Sequence, residues 1–189
     1  MASFSANALR DYALVKSPST QISASTLLLD SPECIAIFDA YPKAKYHFLI
    51  LPRYPFPTKC NIDYLHDLAS LLGAPKDVRK AVVEGMRSMA GEVVEMIRDE
   101  MMKTEGFTWG VDLGFHAIPS MRYGFSIDGE KDWADERHIH LHVISSDRIS
   151  PAMKTKKHYN SFRTDLGFFV HLADVEEWIE SDSSIVSQL

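Results

Sequence analysis

The heptapeptide His138-Ile139-His140-Leu141-His142-Val143-Ile144 constrains this chain more than any other stretch. Imidazole and aliphatic side chains alternate strictly, and a β-strand sends alternate residues to opposite faces. The period predicts a strand over 138–144, with His138, His140 and His142 on one face and Ile139, Leu141 and Val143 on the other. Neighbouring histidines then stand roughly 6.5–7 Å apart, two residues of strand rise. Burying three imidazoles without a task costs desolvation. Such a row can surround a phosphate, with one ring nitrogen attacking and the others donating hydrogen bonds to its oxygens. A zinc site is the competing use, since next-but-one strand positions can supply two or three ring nitrogens. Plain structural histidines are the third reading.

A chain of 189 residues with 46% hydrophobic and 24% charged residues reads as one globular unit with a sizeable core. Neither a secretory leader nor an apolar run of membrane-spanning length is visible, so no membrane association is expected. Cys34 and Cys60 are expected as free thiols. The net charge of −6 argues against a general nucleic-acid coat, yet the charge is uneven. Arg148, Lys154, Lys156, Lys157 and Arg163 fall in 148–163 without a single Asp or Glu. That local basic loop can hold a polyphosphate backbone, or it is only a solvated charged loop.

In chain order, residues 7–16 predict a short helix that Ser17-Pro18 ends. Residues 26–30, 34–39 and 45–51 predict a three-strand meander, with His47, Leu49 and Leu51 on one face. Residues 61–72 predict one helix. A longer one runs from 76 to 103 with Val82, Met86, Met89, Val93, Met96 and Ile97 as its apolar stripe. Residues 107–115 and 168–172 predict further strands, and 174–180 a last short helix.

The His-φ-His-φ-His-φ-φ strand is the signature of the histidine-triad superfamily. Three more blocks narrow the resemblance: Gly114-Phe115-His116-Ala117-Ile118-Pro119-Ser120-Met121, Tyr41 to Pro52, and Ser150 to Phe162. In this order they resemble the aprataxin branch, in a fungal-type form, over about residues 30–165. The resemblance implies an α+β histidine-triad fold, an antiparallel sheet of about five strands packed with helices. Residues 1–20 would be an N-terminal helix and lead-in, 21–180 the catalytic domain, and 181–189 a frayed tail. Residues 122–137 are an insert relative to the family pattern. They are either a surface loop over the site or a translated short intron, whose excision would leave a single arginine between Met121 and His138.

The resemblance implies a DNA 5′-adenylate hydrolase that removes AMP from abortive ligation ends. His140 would be the nucleophile, forming an adenylyl-histidine that water resolves. His138 would fix the tautomer of its ring, while His142 and Ser120 would donate to the phosphate oxygens. His116 would serve the leaving-group side, and His47 is the fourth histidine, hydrogen-bonded within the triad. Lys43 and Lys157 match lysines near the phosphate. Asp39 matches a ribose-binding carboxylate, although an Asp at a strand end also forms turns by itself. Arg10, Tyr12, Arg148, Lys154 and Lys156 are the candidate DNA contacts, with Leu9 beside them on a helix that would wedge the damaged end or merely pack.

No cofactor and no metal site are expected in this chain, since the zinc finger in which aprataxins usually continue does not follow. Expected partners are 5′-adenylated DNA or RNA–DNA ends, with AMP as product, acting on a monomer in the nucleus. Two other functions compete: a small-molecule phosphoramidase or dinucleoside polyphosphate hydrolase of the same superfamily, and a nucleotide-binding adaptor without catalysis. The presence of His47, His116 and all three triad histidines opposes the last.

Overall fold

The computed structural model describes residues 8–117, 137–153 and 160–181. Two short helices, α1 (Ala8–Leu14) and α2 (Pro18–Gln21), lead into strands β1 (Leu27–Asp30), β2 (Cys34–Phe38) and β3 (His47–Pro52). A 3-10 turn (Ile62–Leu65), α3 (Leu68–Leu72) and the long α4 (Lys76–Glu105) follow. The chain then forms β4 (Val111–His116), β5 (Leu141–Ser145), β6 (Phe169–His171) and α5 (Leu172–Ser181). All strand pairs are antiparallel, in the order β1-β2-β3-β5-β4-β6. The expected α+β class and the meander are both present, with six strands rather than about five.

Strand alternation divides the sheet into two different faces. Phe48, Ile50, Leu141 and Val143 point toward α4, whose Val82, Met86, Met89 and Val93 complete the main core. Leu141 and Val143 are fully buried, and each contributes about 2 kcal/mol of hydrophobic stabilisation. The opposite face carries His47, Leu49 and Leu51 from β3, and there Ile35, Ile37, Leu49 and Leu51 form a second cluster with Leu9, Tyr12 and Val15 packed against it. α1 thus covers the half of this face that the histidines leave.

Several expected boundaries shift for local reasons. Asp67 interrupts the helix predicted over 61–72, because its extended backbone and its carboxylate cap a new helix, accepting the Ser70 N–H at 2.9 Å. Met96 falls off the core stripe of α4 and is 43% exposed. Gly106 ends α4 with a φ of 77°, the left-handed conformation glycine adopts without strain. Phe107 to Trp109 stay outside the sheet, with the two aromatic rings meeting edge to face at 5.1 Å. Pro18, expected only to end α1, also opens α2. Cys34 and Cys60 are free thiols. Among the described residues, no helix is long and apolar enough to cross a membrane.

Candidate active site

The histidine cluster is assembled by three neighbouring strands. On β5, His142 pairs with Leu49 of β3 on one side and with Gly114 of β4 on the other. Directly opposed residues share a face, so His47, two residues before Leu49, and His116, two after Gly114, flank His142. His142 and His47 are 4% exposed, as is His138, while His140 and His116 keep partial access to solvent.

The triad does not act as one regular row. β5 begins only at Leu141, and residues 138–140 lie outside the ladder, contrary to the strand expected from His138. The cause is a competing backbone bond: the Ile139 N–H donates to the Leu65 carbonyl in the 3-10 turn, at 2.7 Å. The His138 ring turns to Pro52, donating from Nε2 to its carbonyl at 2.6 Å. Its backbone, rather than its ring, then orients the next histidine. His140 Nδ1–H donates to the His138 carbonyl at 3.0 Å. This bond places the His140 proton on Nδ1 and leaves Nε2 with a free lone pair.

A second chain of bonds fixes His142. The Lys43 backbone N–H donates to His47 Nδ1 at 3.1 Å, so the proton of neutral His47 sits on Nε2. That Nε2–H donates to His142 Nδ1 at 2.9 Å. His142 must then carry its own proton on Nε2, and this nitrogen is buried with no hydrogen-bond partner among the described residues. An unpartnered buried donor beside a free imidazole lone pair is costly, and a phosphate oxygen would satisfy it. The His140 and His142 ring centroids are 4.9 Å apart.

The electrostatics keep these rings neutral. Burial pushes His47, His116 and His138 down to about 4. It also lowers His140 and takes His142 well below the ordinary imidazole range, with neighbouring histidines adding to the effect on His142. His116 is held by hydrogen bonds to the backbone of Phe168 and Ser161, its ring 4.5 Å from that of His142.

The other expected residues are distributed differently. Asp39 follows β2, accepts the Tyr41 N–H at 2.6 Å and places its second oxygen 3.5 Å from His47 Nδ1. It also lines a cavity of about 560 Å³ with Leu28, Phe38, His47, Phe48, Met96 and Ile97. Lys43 meets the cluster through its backbone, whereas its ammonium bonds the Tyr41 carbonyl. Arg10 is close enough to His138 to lower its proton affinity, and Tyr12 packs on the second core cluster. Arg148 turns inward to Asp112, at 2.6 Å. Ser120, Lys154, Lys156 and Lys157 lie outside the described residues, as does the insert up to residue 136. Arg137, its last residue, pairs with Asp67 at 3.8 Å.

Three contributors escaped the sequence reading. Phe162 and Phe169 wall the cluster: Phe162 lies 5.0 Å from the His116 ring and 5.6 Å from that of His142, with Phe169 5.8 Å from His116. Asp112 anchors Arg148. The position of Phe169 two residues before His171 was the only signal for its face, and nothing in the sequence pairs Asp112 with Arg148. Asp39, His47 and His142 also bring one ligand-type atom each within 4.8 Å. The His47–His142 bond occupies both ring nitrogens that face each other, so a cation there would have to replace it.

Comparison with known proteins bears on the family and the fold. The family model for the scavenger mRNA decapping enzyme C-term binding family matches residues 14–123. Aprataxin from Danio rerio is 34% identical over 151 residues, covering 80% of this chain and 36% of that protein. The aprataxin-like protein of Saccharomyces cerevisiae is 29% identical over 181 residues, 89% of this chain and 73% of that one. The chain thus spans about a third of the zebrafish relative's own length, and 18% of an aprataxin-like protein from Drosophila melanogaster. Among solved structures, the aprataxin ortholog Hnt3 from Schizosaccharomyces pombe superposes with a TM-score of 0.58 at 24% identity, covering 87% of this chain and 69% of that one. The structure of Hnt3 in complex with DNA gives 0.60 at 23% identity, over 88% and 72%. The fold is that of the histidine-triad proteins, and the resemblance to aprataxins read from the sequence is borne out.

Proposed function

The chain belongs to the scavenger mRNA decapping enzyme C-term binding family, and from that premise we propose that it is a DNA 5′-adenylate hydrolase. The observation that carries the reading is the pairing of His140 Nε2, left with its lone pair, with a buried His142 Nε2–H that has no partner among the described residues. A nucleophile and an oxyanion donor side by side are what displacement at phosphorus needs. Relatives named aprataxin and a DNA-bound Hnt3 support 5′-adenylated DNA, or RNA–DNA, as the substrate class.

In the proposed reaction, His140 Nε2 attacks the adenylate phosphorus. The N–P bond forms as the bond from phosphorus to the bridging oxygen breaks, and the DNA leaves with its 5′-phosphate. His142 donates to a non-bridging oxygen throughout, and His116 faces the departing phosphate. Water then attacks the same phosphorus and gives up a proton to solvent, the N–P bond breaks with its electron pair returning to Nε2, and AMP leaves. A phosphate monoester is a stable leaving group at neutral pH, its second ionisation lying near 6, so little general acid is required. Ser120, Lys43 and Lys157 serve phosphate binding in this reading, Lys154 and Lys156 the DNA backbone, and Arg10 and Tyr12 the base at the damaged end.

The nucleoside would meet Asp39, whose second oxygen is not committed to the Tyr41 N–H and is open to ribose hydroxyls. No metal is needed for either displacement. The protein would act as a monomer in the nucleus, where ligation ends arise.

The runner-up is a small-molecule phosphoramidase or dinucleoside polyphosphate hydrolase. One observation favours it: the histidine cluster with Asp39 beside it suffices for a nucleotide alone. The deciding experiment follows AMP release from a 5′-adenylated nicked duplex, with adenosine phosphoramidate as control and His140→Ala beside the wild type. Release from DNA, lost in the variant, supports the proposal. Turnover of the phosphoramidate with DNA untouched replaces it by the runner-up, and binding of AMP without turnover by an adaptor.

A further inference from the structure

The turn after β5 is held unusually firmly. The Asp147 carboxylate accepts from the Ser145 hydroxyl, the Lys45 N–H at 3.0 Å and the Ile149 N–H at 2.9 Å. Between these anchors Arg148 takes a φ of 51°, the one positive φ at a non-glycine among the described residues. Side-chain-bearing residues avoid this conformation unless their surroundings impose it. The consequence is directional: the side chain runs back to β4, where Nη2 donates to Asp112 at 2.6 Å.

So placed, the guanidinium lies 5.0 Å from the centre of the Phe162 ring. Its Nη1 is buried with no hydrogen-bond partner among the described residues, so the cation meets the ring largely desolvated, where such contacts are strongest. On its other contacts Phe162 touches three histidines at once, with ring centroids 5.0 Å from His116, 5.6 Å from His142 and 5.8 Å from His47. Arg148 and Phe162 also stand near the two ends of the 148–163 segment, so their contact clasps its base.

We propose that Arg148, tethered by Asp112, is a positioning residue that pins Phe162 against the rings of His47, His116 and His142. It reaches the reacting phosphate through these rings and not by contact. Its charge has a second effect. The groups facing the His47–His142 relay are Asp39, Lys43, His116, His140 and Arg148. Lys43 and Arg148 are the cations among them, and both disfavour protonation of His47.

The kinetic half of this inference rests on the adenylate-hydrolase reading, whereas the spectroscopic half does not. The test records histidine ¹H–¹³C NMR spectra across pH, and AMP release from 5′-adenylated DNA, for wild type, Arg148→Met, Arg148→Lys and Asp112→Asn. In Arg148→Met the His47, His116 and His142 signals should lose their ring-current displacement, and His47 should protonate at higher pH. Turnover should fall by about tenfold to a hundredfold through kcat, with KM within about twofold. Arg148→Lys, which keeps the charge, should restore most of the pattern, and Asp112→Asn should shift it in the direction of Arg148→Met. Unmoved histidine signals in Arg148→Met would overturn the proposal, and so would a loss carried by KM, which marks a substrate contact. Should that variant not fold, Asp112→Asn against Arg148→Lys decides by the same signals. A wild type inert toward adenylated DNA removes the substrate reading and leaves the NMR comparison in force.

Discussion

The ring of Phe169 occupies the space that a side chain on Gly114 would fill. A β-carbon at Gly114 would stand 2.5 Å from Phe169 Cε1 and 2.5 Å from the Val170 carbonyl oxygen. Since Gly114 is paired with His142 across the β4–β5 ladder, the missing side chain lets an aromatic wall close over the histidine-bearing face. Gly114→Ala must therefore displace the ring, the backbone of β6 or both. We expect a loss of about 1–3 kcal/mol, the usual cost of overpacking, read as a lower midpoint in urea. Turnover should fall further than stability, because Phe169 also contacts His116 and His142.

Acid should destabilise the fold earlier than carboxylate titration alone would. His47, His116 and His138 are pushed down to about 4 by burial, below the unfolded value near 6.5. Between these pH values the unfolded chain binds more protons, so stability rises with pH there and is lost as pH falls from 6.5 toward 4. Urea denaturation at pH 8, 6.5 and 5 should give a modestly lower midpoint at the second, where the unfolded histidines are half protonated, and a clear further drop at the third. His138→Gln, which keeps a donor for the Pro52 carbonyl, should reduce that drop.

The rate should follow the same groups. In the proposed reaction, attack needs neutral His140, and donation by His142 needs the relay tautomer set by Lys43 and His47. A pH–rate profile for AMP release should stay flat from pH 8 to below 6.5 on the enzyme side. An acid limb centred near an ordinary histidine value would contradict the buried, neutral cluster.

Asp39→Asn should separate binding from chemistry. Asparagine retains an acceptor for the Tyr41 N–H but weakens the grip on ribose hydroxyls, so KM should rise by about tenfold, one charge-assisted hydrogen bond. A change confined to kcat would instead place Asp39 in the His47 relay, from which it stands 3.5 Å.

Chelation should leave turnover unchanged. Although Asp39, His47 and His142 bring ligand-type atoms within 4.8 Å, two of them are committed to each other at 2.9 Å. Loss of AMP release in EDTA, restored by a divalent cation, would assign this trio to a metal.

Much of the site was legible because alternation in a strand is a local rule. The faces of Leu141 and Val143 against those of His140 and His142 follow from a period of two, as does the shared face of His47, Leu49 and Leu51. The family resemblance added His116 and Asp39, which no local period marks. The start of the triad strand was misjudged for a reason no pattern reveals: the carbonyl that captures the Ile139 N–H belongs to Leu65, 74 residues away in the chain.

By itself, then, the sequence determined which residue types share a face, that a long helix follows residue 76, and that the triad histidines alternate with aliphatic residues. Tertiary structure decided how each imidazole is used. The tautomers of His140 and His142 depend on backbone groups of His138 and Lys43, and a backbone amide or carbonyl is the same at every position. The inward turn of Arg148 to Asp112, and the filling of Gly114's space by Phe169, likewise arise only when β4, β5 and β6 come together. Contacts between residues distant in the chain carry no period, so packing alone selects them.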